Sequence, residues 1–340
     1  MSFALSLLDK SPIYENETAA QALQHTLELV KAAERLGYHR FWVSEHHDMD
    51  SFACPSPEVL IAYLLAQTQH IRIGSGGVML QHYSPYKVAE NFNLLSCLAP
   101  GRVDLGVGRA PGGFPRSTRA LQPVPSETVI PLVDKLLLLD QLVHDEYRTD
   151  QADPLYGLRA KPSPPKPPEL YLLGASVDSA ETAARLGLPY VFSQWISGDD
   201  EVQTQALAAY RTKFHSSRLP AKHVIMAVSV IVADTDEEAE RQAEEFQVIK
   251  IFLENGKKLR VGTLELLNEF TRQTSDKYTI EQKRTIIIHG SYQTVLEKLK
   301  RLYLQYEFDE LMVSLELKTL SQRLDALREI RIGLSELVRS

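Results

Sequence analysis

Short apolar runs alternate with amphipathic segments along the first third of the chain. The runs are rich in β-branched and aromatic residues, which favour extended backbone, and the segments between them have helical spacing. Runs that are apolar throughout predict strands of a parallel sheet that is buried on both faces. The pattern resumes later, and the eight predicted strands are Phe3–Leu8, Phe41–Val43, Ile71–Leu80, Val103–Val107, Leu170–Leu173, Tyr190–Trp195, Val224–Val232 and Glu310–Leu315.

Eight strands that alternate with helices favour a closed (β/α)8 TIM barrel over an open doubly wound sheet. Helix starts are marked by the capping box Thr18-Ala19-Ala20-Gln21 and by the proline that follows Ser56 and Ser84. We therefore predict an α/β fold in which residues 1–340 form a single barrel domain.

The later connections are less regular. Residues 127–142 have helical spacing, whereas residues 144–169 are proline-rich and aperiodic, which predicts a long surface connection. Residues 234–248 predict an acidic helix. Residues 249–283 predict an irregular, helical insertion late in the barrel.

Composition narrows the possible functions. Hydrophobic residues make up 44% of the chain, and the formal charge of −7 argues against nucleic acid or an anionic membrane as a partner. Cys54 and Cys97 show neither disulfide nor metal spacing. The longest apolar run, Val224–Ala233, is too short to span a bilayer, and Met1–Asp9 has no basic flank. We therefore expect a cytoplasmic, soluble protein in a reducing compartment.

Three ionisable residues, Glu45, His46 and His47, follow the second predicted strand directly. In barrels the carboxyl ends of the strands are where sites gather. Glu45 and His47 are equally consistent with a structural hydrogen-bonded cluster, so His46 is the stronger catalytic candidate. Adjacent residues of a strand point to opposite faces, so the two histidines cannot chelate one ion, and no metal site is predicted.

Two further stretches can bind an anion. Gly174-Ala175-Ser176-Val177-Asp178-Ser179 leads from a strand into a helix, whose N-terminus favours phosphate, although simple capping by Ser176 or Asp178 explains the same residues. Arg109, after the fourth strand, can bind phosphate bidentately or form a salt bridge at the rim.

A further stretch, the glycine-rich Gly74-Ser75-Gly76-Gly77, lies inside a predicted strand. A dinucleotide-binding fingerprint lies instead at a turn from a strand to a helix, so this stretch is not one. Bare backbone at this position suits the close approach of a flat ring.

Together these stretches resemble the bacterial luciferase-like flavin monooxygenases, in the non-luminous branch made of a single polypeptide. The resemblance runs in order from Phe3 to about Trp195 and more loosely to the end. The stretches that carry it are Trp42–His47, Ile73–Leu80, Pro100–Arg109 and Leu186–Pro189.

The resemblance implies a barrel that binds FMN at the carboxyl ends of its strands. It implies a non-proline cis peptide at Gly76-Gly77 under the flavin ring, and catalysis by His46 beside the flavin. Ser193 and Gln194 fall near the ring, although luciferase carries Trp at the position of Gln194. The cofactor-binding residues that it implies are Gly76, Gly77, Arg109, Gly174, Ala175, Ser176, Ser179 and Gln194.

The function implied by the resemblance is oxidation of a small, partly apolar organic substrate by reduced FMN and molecular oxygen through a flavin peroxide. NAD(P)H would act indirectly through a separate reductase, because no nicotinamide-binding unit is readable. A closed, dry cavity is needed, and residues 249–283 and 111–125 are candidates for its cover. Homodimerisation through the helices that follow the early strands is expected.

Two alternatives stay open at this point: a hydride-transferring enzyme that uses a deazaflavin, and a non-catalytic flavin-binding protein. The sequence does not identify the substrate.

Overall fold

Parallel strands close into a barrel in the computed structural model, which describes residues 3–122, 130–216, 218, 221–254, 256 and 258–339. The strands of the described residues are β1 (Ala4–Asp9), β2 (Arg40–Val43), β3 (Arg72–Met79), β4 (Val103–Gly108), β5 (Glu169–Gly174), β6 (Tyr190–Ser193), β7 (Val224–Val232), β8 (Phe246–Leu253), β9 (Lys258–Thr263), β10 (Tyr278–Arg284), β11 (Ile288–Gly290) and β12 (Glu310–Leu315). Strands β1 to β7 pair in order, and β12 pairs in parallel with both β7 and β1, which closes the barrel. The predicted (β/α)8 fold is confirmed.

Helices surround this barrel. They are α1 (Ala19–Arg35), α2 (Pro57–Ala66), α3 (Pro85–Leu98), α4 (Pro115–Leu121), α5 (Leu132–Val143), α6 (Val177–Leu186), α7 (Gln194–Ser197), α8 (Asp200–Lys213), α9 (Asp236–Ala243), α10 (Leu264–Gln273), α11 (Tyr292–Tyr306) and α12 (Leu320–Arg339). The predicted capping box at Thr18 is present, with Gln21 as its partner. The predicted start of the helix at 127 lies outside the described residues.

The core has two layers that follow from the alternation of side chains along each strand. One set of side chains faces the surrounding helices, and β7 is buried at all nine positions because both its faces are covered. The other set fills the barrel interior as an apolar cluster of Leu8, Trp42, Tyr171, Val191, Ile225, Ala227 and Met312.

A buried ionic network closes the barrel interior at the amino ends of the strands. Asp104 accepts hydrogen bonds from Arg40 (2.8 Å), from Trp42 Nε1 (2.9 Å) and from Arg72 Nε (2.9 Å). Arg40 also pairs with Glu310 at 2.7 Å. Burial opposes ionisation of Glu310, but the Arg40 guanidinium outweighs it and lowers the pKa of Glu310 to about 2. Trp42 therefore connects this network to the apolar layer above it.

The late insertion differs from the sequence prediction. Strands β8, β9 and β10 form an antiparallel sheet in the order β10-β8-β9, and α10 is the helix among the described residues of the insertion. The prediction of a helical insertion is therefore wrong. The acidic helix is also shorter than predicted, because it ends at Ala243 rather than at 248 and β8 begins at Phe246. Alternating apolar residues of β8 bury one face of the sheet and form a separate core with Val261, Phe270 and Phe114.

Residues between α5 and β5 form neither helix nor strand, as predicted for the long connection. Within the part of the chain that the structure describes, no helix is long and apolar enough to cross a membrane.

Candidate active site at the carboxyl ends of the barrel strands

A cavity of about 660 Å³ opens where the barrel strands end. Its floor is the upper surface of the apolar interior, formed by Leu8, Trp42, Val191, Ala227 and Met312. The volume lies within the 300–1,000 Å³ that small-molecule and cofactor sites usually have. The cavity therefore suits an organic ligand with an apolar portion.

Gly76 and Gly77 line one wall of this cavity, and the peptide bond between them is cis, as the resemblance implied. A Cβ on Gly77 would lie 2.8 Å from the carbonyl oxygen of Gly106 on β4. A Cβ on Gly76 would lie 2.6 Å from Leu8 Cδ1. Larger side chains at either position would displace β4 or the cavity floor, so the bare wall depends on both glycines.

His46 lines the same cavity at the exit of β2. Its ring stacks on Phe52 with centroids 4.2 Å apart, and Nδ1 lies 3.1 Å from Ser44 Oγ. Burial, with a smaller effect of the Lys10 ammonium, lowers the pKa of His46 to about 3. The imidazole is therefore neutral at neutral pH, with one ring nitrogen as a hydrogen-bond donor and the other as an acceptor.

Glu45 and His47 form a supporting cluster. His47 Nε2 lies 2.7 Å from Glu45 Oε1, and Tyr83 donates its hydroxyl to the same oxygen at 2.8 Å. Met79 N donates to Glu45 Oε2 at 3.1 Å. These contacts join the exits of β2 and β3, so Glu45 holds the two strand ends that carry His46 and the glycine wall.

The residues that the resemblance implies for phosphate binding lie at the end of the cavity where β4 and β5 leave the barrel. Arg109 lines the cavity with its side chain 81% exposed, and its nearest carboxylate is Asp178 at 3.9 Å. Such a loosely paired guanidinium is free to bind an anion. Ala175 lines the cavity beside it.

The start of α6 completes this end of the cavity. Ser176 and Ser179 form a reciprocal capping box, each hydroxyl accepting the other residue's N–H at 3.2 Å. Gly174 permits the turn, because a Cβ there would lie 2.2 Å from Ser179 Oγ. Both residues cap the helix and line the cavity, so capping and a place beside a bound anion are compatible.

Ser193 lines the cavity, but Gln194 does not. The Gln194 side chain is buried and donates from Nε2 to Gln203 at 3.1 Å. The strand ends at Ser193 and α7 begins at Gln194, so the next side chain leaves the barrel face. Trp195, one residue later, lines the cavity instead.

Sequence reasoning missed several polar or aromatic residues of the cavity wall, among them Lys10, Ser44, Trp195 and Arg260. Lys10 and Ser44 each follow a barrel strand directly, which is a signal that was available in the sequence. Arg260 lies on β9 of the insertion, and only the tertiary structure brings it to the cavity. Among the described residues, no group of three His, Cys, Asp or Glu side chains has a geometry for a metal ion.

A closed parallel barrel with a lined cavity at the carboxyl ends of its strands is the arrangement of a (β/α)8-barrel enzyme. The family model described as luciferase-like monooxygenase matches residues 1–309. The chain belongs to the luciferase-like monooxygenase family, and it is an oxidoreductase.

Individual relatives agree with this placement. The N-acetyl-S-alkylcysteine monooxygenase of Bacillus subtilis is 44% identical over 314 residues, which cover 92% of this chain and 93% of the relative. The crystal structure of apo-MsnO8 is 33% identical, with a TM-score of 0.78 and coverage of 98% of both chains. The oxygenating constituent of 3,6-diketocamphane monooxygenase from Pseudomonas putida, solved with FMN, is 18% identical with a TM-score of 0.67 and 97% coverage of both chains, a likeness that shows the fold alone.

Proposed function

We propose that this chain is a monooxygenase that uses reduced FMN and molecular oxygen to oxidise a small, partly apolar organic substrate. One observation carries the proposal: a single cavity joins an apolar floor and a neutral His46 to an end that can bind an anion. FMN has the matching division into a flat ring and a phosphate.

The residues present fit FMN. Arg109 and the α6 N-terminus, with Ser176 and Ser179, would hold the phosphate through charge-assisted hydrogen bonds and the helix dipole. The wall of Gly76 and Gly77 would lie against the ring. When bound in its reduced form, FMN supplies the electrons that activate oxygen.

The protein's own contribution is placement, exclusion of water and proton transfer. Ser44 and Phe52 orient the His46 ring. His46 would donate or accept a proton at a ring nitrogen within hydrogen-bond reach of the substrate or the flavin. The apolar floor around Trp42 and Met312 would keep the substrate out of water.

Thioethers are the substrate class that we propose first. The B. subtilis relative is named for N-acetyl-S-alkylcysteines and covers nearly the whole chain. An alkyl thioether suits a floor made of aliphatic, aromatic and methionine side chains.

The first test is anaerobic binding of reduced FMN, followed by rapid mixing with oxygenated buffer. We expect reoxidation with kinetics that differ from those of free reduced FMN, and oxygen uptake that matches product formation when N-acetyl-S-butylcysteine is present. Arg109→Gln should weaken FMN binding about 10- to 100-fold through loss of a charge-assisted hydrogen bond. Arg116→Gln is the matched control, because Arg116 pairs with Asp48 outside the cavity. Failure of the wild-type protein to bind reduced FMN would refute the proposal.

The second candidate is hydride transfer with a deazaflavin, since F420-dependent enzymes share this fold. A reduced-FMN site that saturates would exclude it. A purely flavin-binding role predicts that His46→Ala leaves reactivity with oxygen unchanged.

We also propose that the insertion covers the cavity. Phe114, from the predicted cover segment 111–125, packs against Phe270 of α10 with centroids 5.8 Å apart. The two candidate cover segments therefore share one apolar core; residues 123–125 lie outside the described residues. Limited proteolysis of the insertion should slow when FMN is bound, and an unchanged rate would count against this role.

A homodimer is proposed through α2 and α3. Val59 and Tyr63 on α2 and Leu94 and Leu98 on α3 are exposed apolar residues, each pair four apart on its helix. Glu58 joins the two helices by accepting a hydrogen bond from Asn91. Analytical ultracentrifugation should show a dimer that Val59→Asp with Leu98→Asp dissociates; a monomeric wild-type protein would contradict the proposal.

A further inference from the structure

Arg260 brings a guanidinium from the insertion to the wall of the cavity. Its Nη1 donates to the carbonyl oxygen of Ile196 at 2.7 Å. Thr285, after the last strand of the insertion, donates to the preceding carbonyl, that of Trp195, at 3.1 Å. Two bonds from the insertion thus hold it to the exit of β6 and fix where Arg260 lies.

The other cations of the cavity wall already have a role. Lys10 pairs at 2.6 Å with Glu316, a partly buried carboxylate that also accepts hydrogen bonds from Ser229 and Ser314. Arg109 lies beside Asp178 at the phosphate end. Arg185 lies in the last turn of α6, where a cation complements the helix dipole.

Arg260 differs from these. Among the described residues, no carboxylate lies within 4.0 Å of its guanidinium, and its one polar contact is the Ile196 carbonyl. That contact uses Nη1, so no hydrogen bond to a described residue occupies the edge formed by Nε and Nη2. This edge is suited to bind both oxygens of a carboxylate.

The rest of the cavity is complementary to an amphiphilic molecule. The floor of Leu8, Trp42 and Met312 is apolar and lies inside the barrel, whereas Arg260 lies on the insertion above it. We propose that Arg260 is a specificity-determining residue that binds the carboxylate of the substrate, so that the substrate class is an organic acid with an apolar arm. This inference rests on the proposed function and names the group of the substrate that the cavity recognises.

The FMN phosphate is the other possible source of an anion at Arg260. Strands β5 and β6 are neighbours, so the start of α6 and Ile196 of α7 follow adjacent strands. The two sources make different predictions, because only substrate recognition distinguishes an acid from its ester.

The test measures binding by calorimetry, without flavin and with saturating reduced FMN under anaerobic conditions. The probes are N-acetyl-S-butylcysteine and its methyl ester. The variants are Arg260→Gln, Arg260→Lys and the control Lys258→Gln; Lys258 lies two residues away on β9, outside the cavity, over the ring of Phe252.

We expect the wild-type protein to prefer the acid, and Arg260→Gln to weaken its binding about 10- to 100-fold, the effect of one hydrogen-bonded charge. Binding of the ester and of FMN should not change. Arg260→Lys should bind the acid with an affinity between those of the wild type and of Arg260→Gln. Near-ultraviolet circular dichroism reports whether each variant is folded.

Three results would overturn the proposal: a wild-type protein that does not prefer the acid, equal losses for acid and ester in Arg260→Gln, or a loss confined to FMN binding. The last would assign Arg260 to the phosphate. A wild-type protein that binds the acid but no FMN would instead refute the proposed function, so the two failures are distinguishable.

Discussion

Replacing Asp104 with Asn is the sharpest test of how the barrel supports its cavity. Asp104 is fully buried, and the groups that contact its two carboxylate oxygens are N–H donors. Oδ1 accepts from Arg72, and Oδ2 accepts from Arg40 and Trp42 Nε1. An Asn amide nitrogen, in either orientation, would face N–H groups instead of a proton acceptor.

The expected loss follows from charge as well as from hydrogen bonds. Without the Asp104 charge, the carboxylate among the described residues that still pairs with Arg40 is the buried Glu310, and the one that still pairs with Arg72 is Glu169, which is 42% exposed. Breaking a buried ion pair costs about 3–5 kcal/mol, because it leaves charge without compensation. We expect Asp104→Asn to lower the free energy of unfolding by that amount.

Equilibrium unfolding in urea, followed by circular dichroism and by tryptophan fluorescence, measures this loss. The matched control is Glu181→Gln, which breaks an exposed pair with Lys213 and should cost less than about 1 kcal/mol. Trp42 loses its Asp104 acceptor, so we also expect FMN binding to weaken in Asp104→Asn. A loss of stability no larger than that of the control would refute the assignment of the network as the support of the barrel floor.

Two further predictions concern the cavity wall. Because the pKa of His46 is lowered to about 3, the unfolded chain binds a proton between pH 6.5 and about 3 and the folded chain does not, so stability falls as the pH falls through this window. Between pH 7 and 5, the free energy of unfolding of His46→Gln should therefore fall by about 2 kcal/mol less than that of the wild type. Parallel curves of stability against pH for the two proteins would contradict this. Gly174→Ala places a Cβ 2.2 Å from Ser179 Oγ and should destabilise by about 1–3 kcal/mol, with a smaller loss in a Ser179→Gly background. Gly262→Ala, which meets open space, is the control for thermal unfolding, and equal melting temperatures for the two alanine variants would exclude the clash.

The order of the strands and helices of the barrel could be predicted from local signals in the sequence. The capping box at Thr18 and the apolar run of β7 depend on residues within a few positions of one another, so their structure is readable without the rest of the chain. The chemistry-bearing positions that follow strands directly, such as His46 and Arg109, were readable for the same reason, because closing a parallel barrel gathers every strand exit at one end.

Only the tertiary structure decided which side chains share the cavity. Gln194 turns away because the strand ends at Ser193, two residues earlier than predicted, and its amide donates a hydrogen bond to Gln203 in the core. The insertion becomes a sheet because the alternating residues of β8 pack on Phe270 and on Phe114, more than 100 residues away in sequence. Arg260 reaches the cavity through its bond to the Ile196 carbonyl. Contacts between such distant positions leave no periodicity in the sequence, since the free energy that selects them comes from burial and pairing after the barrel has closed.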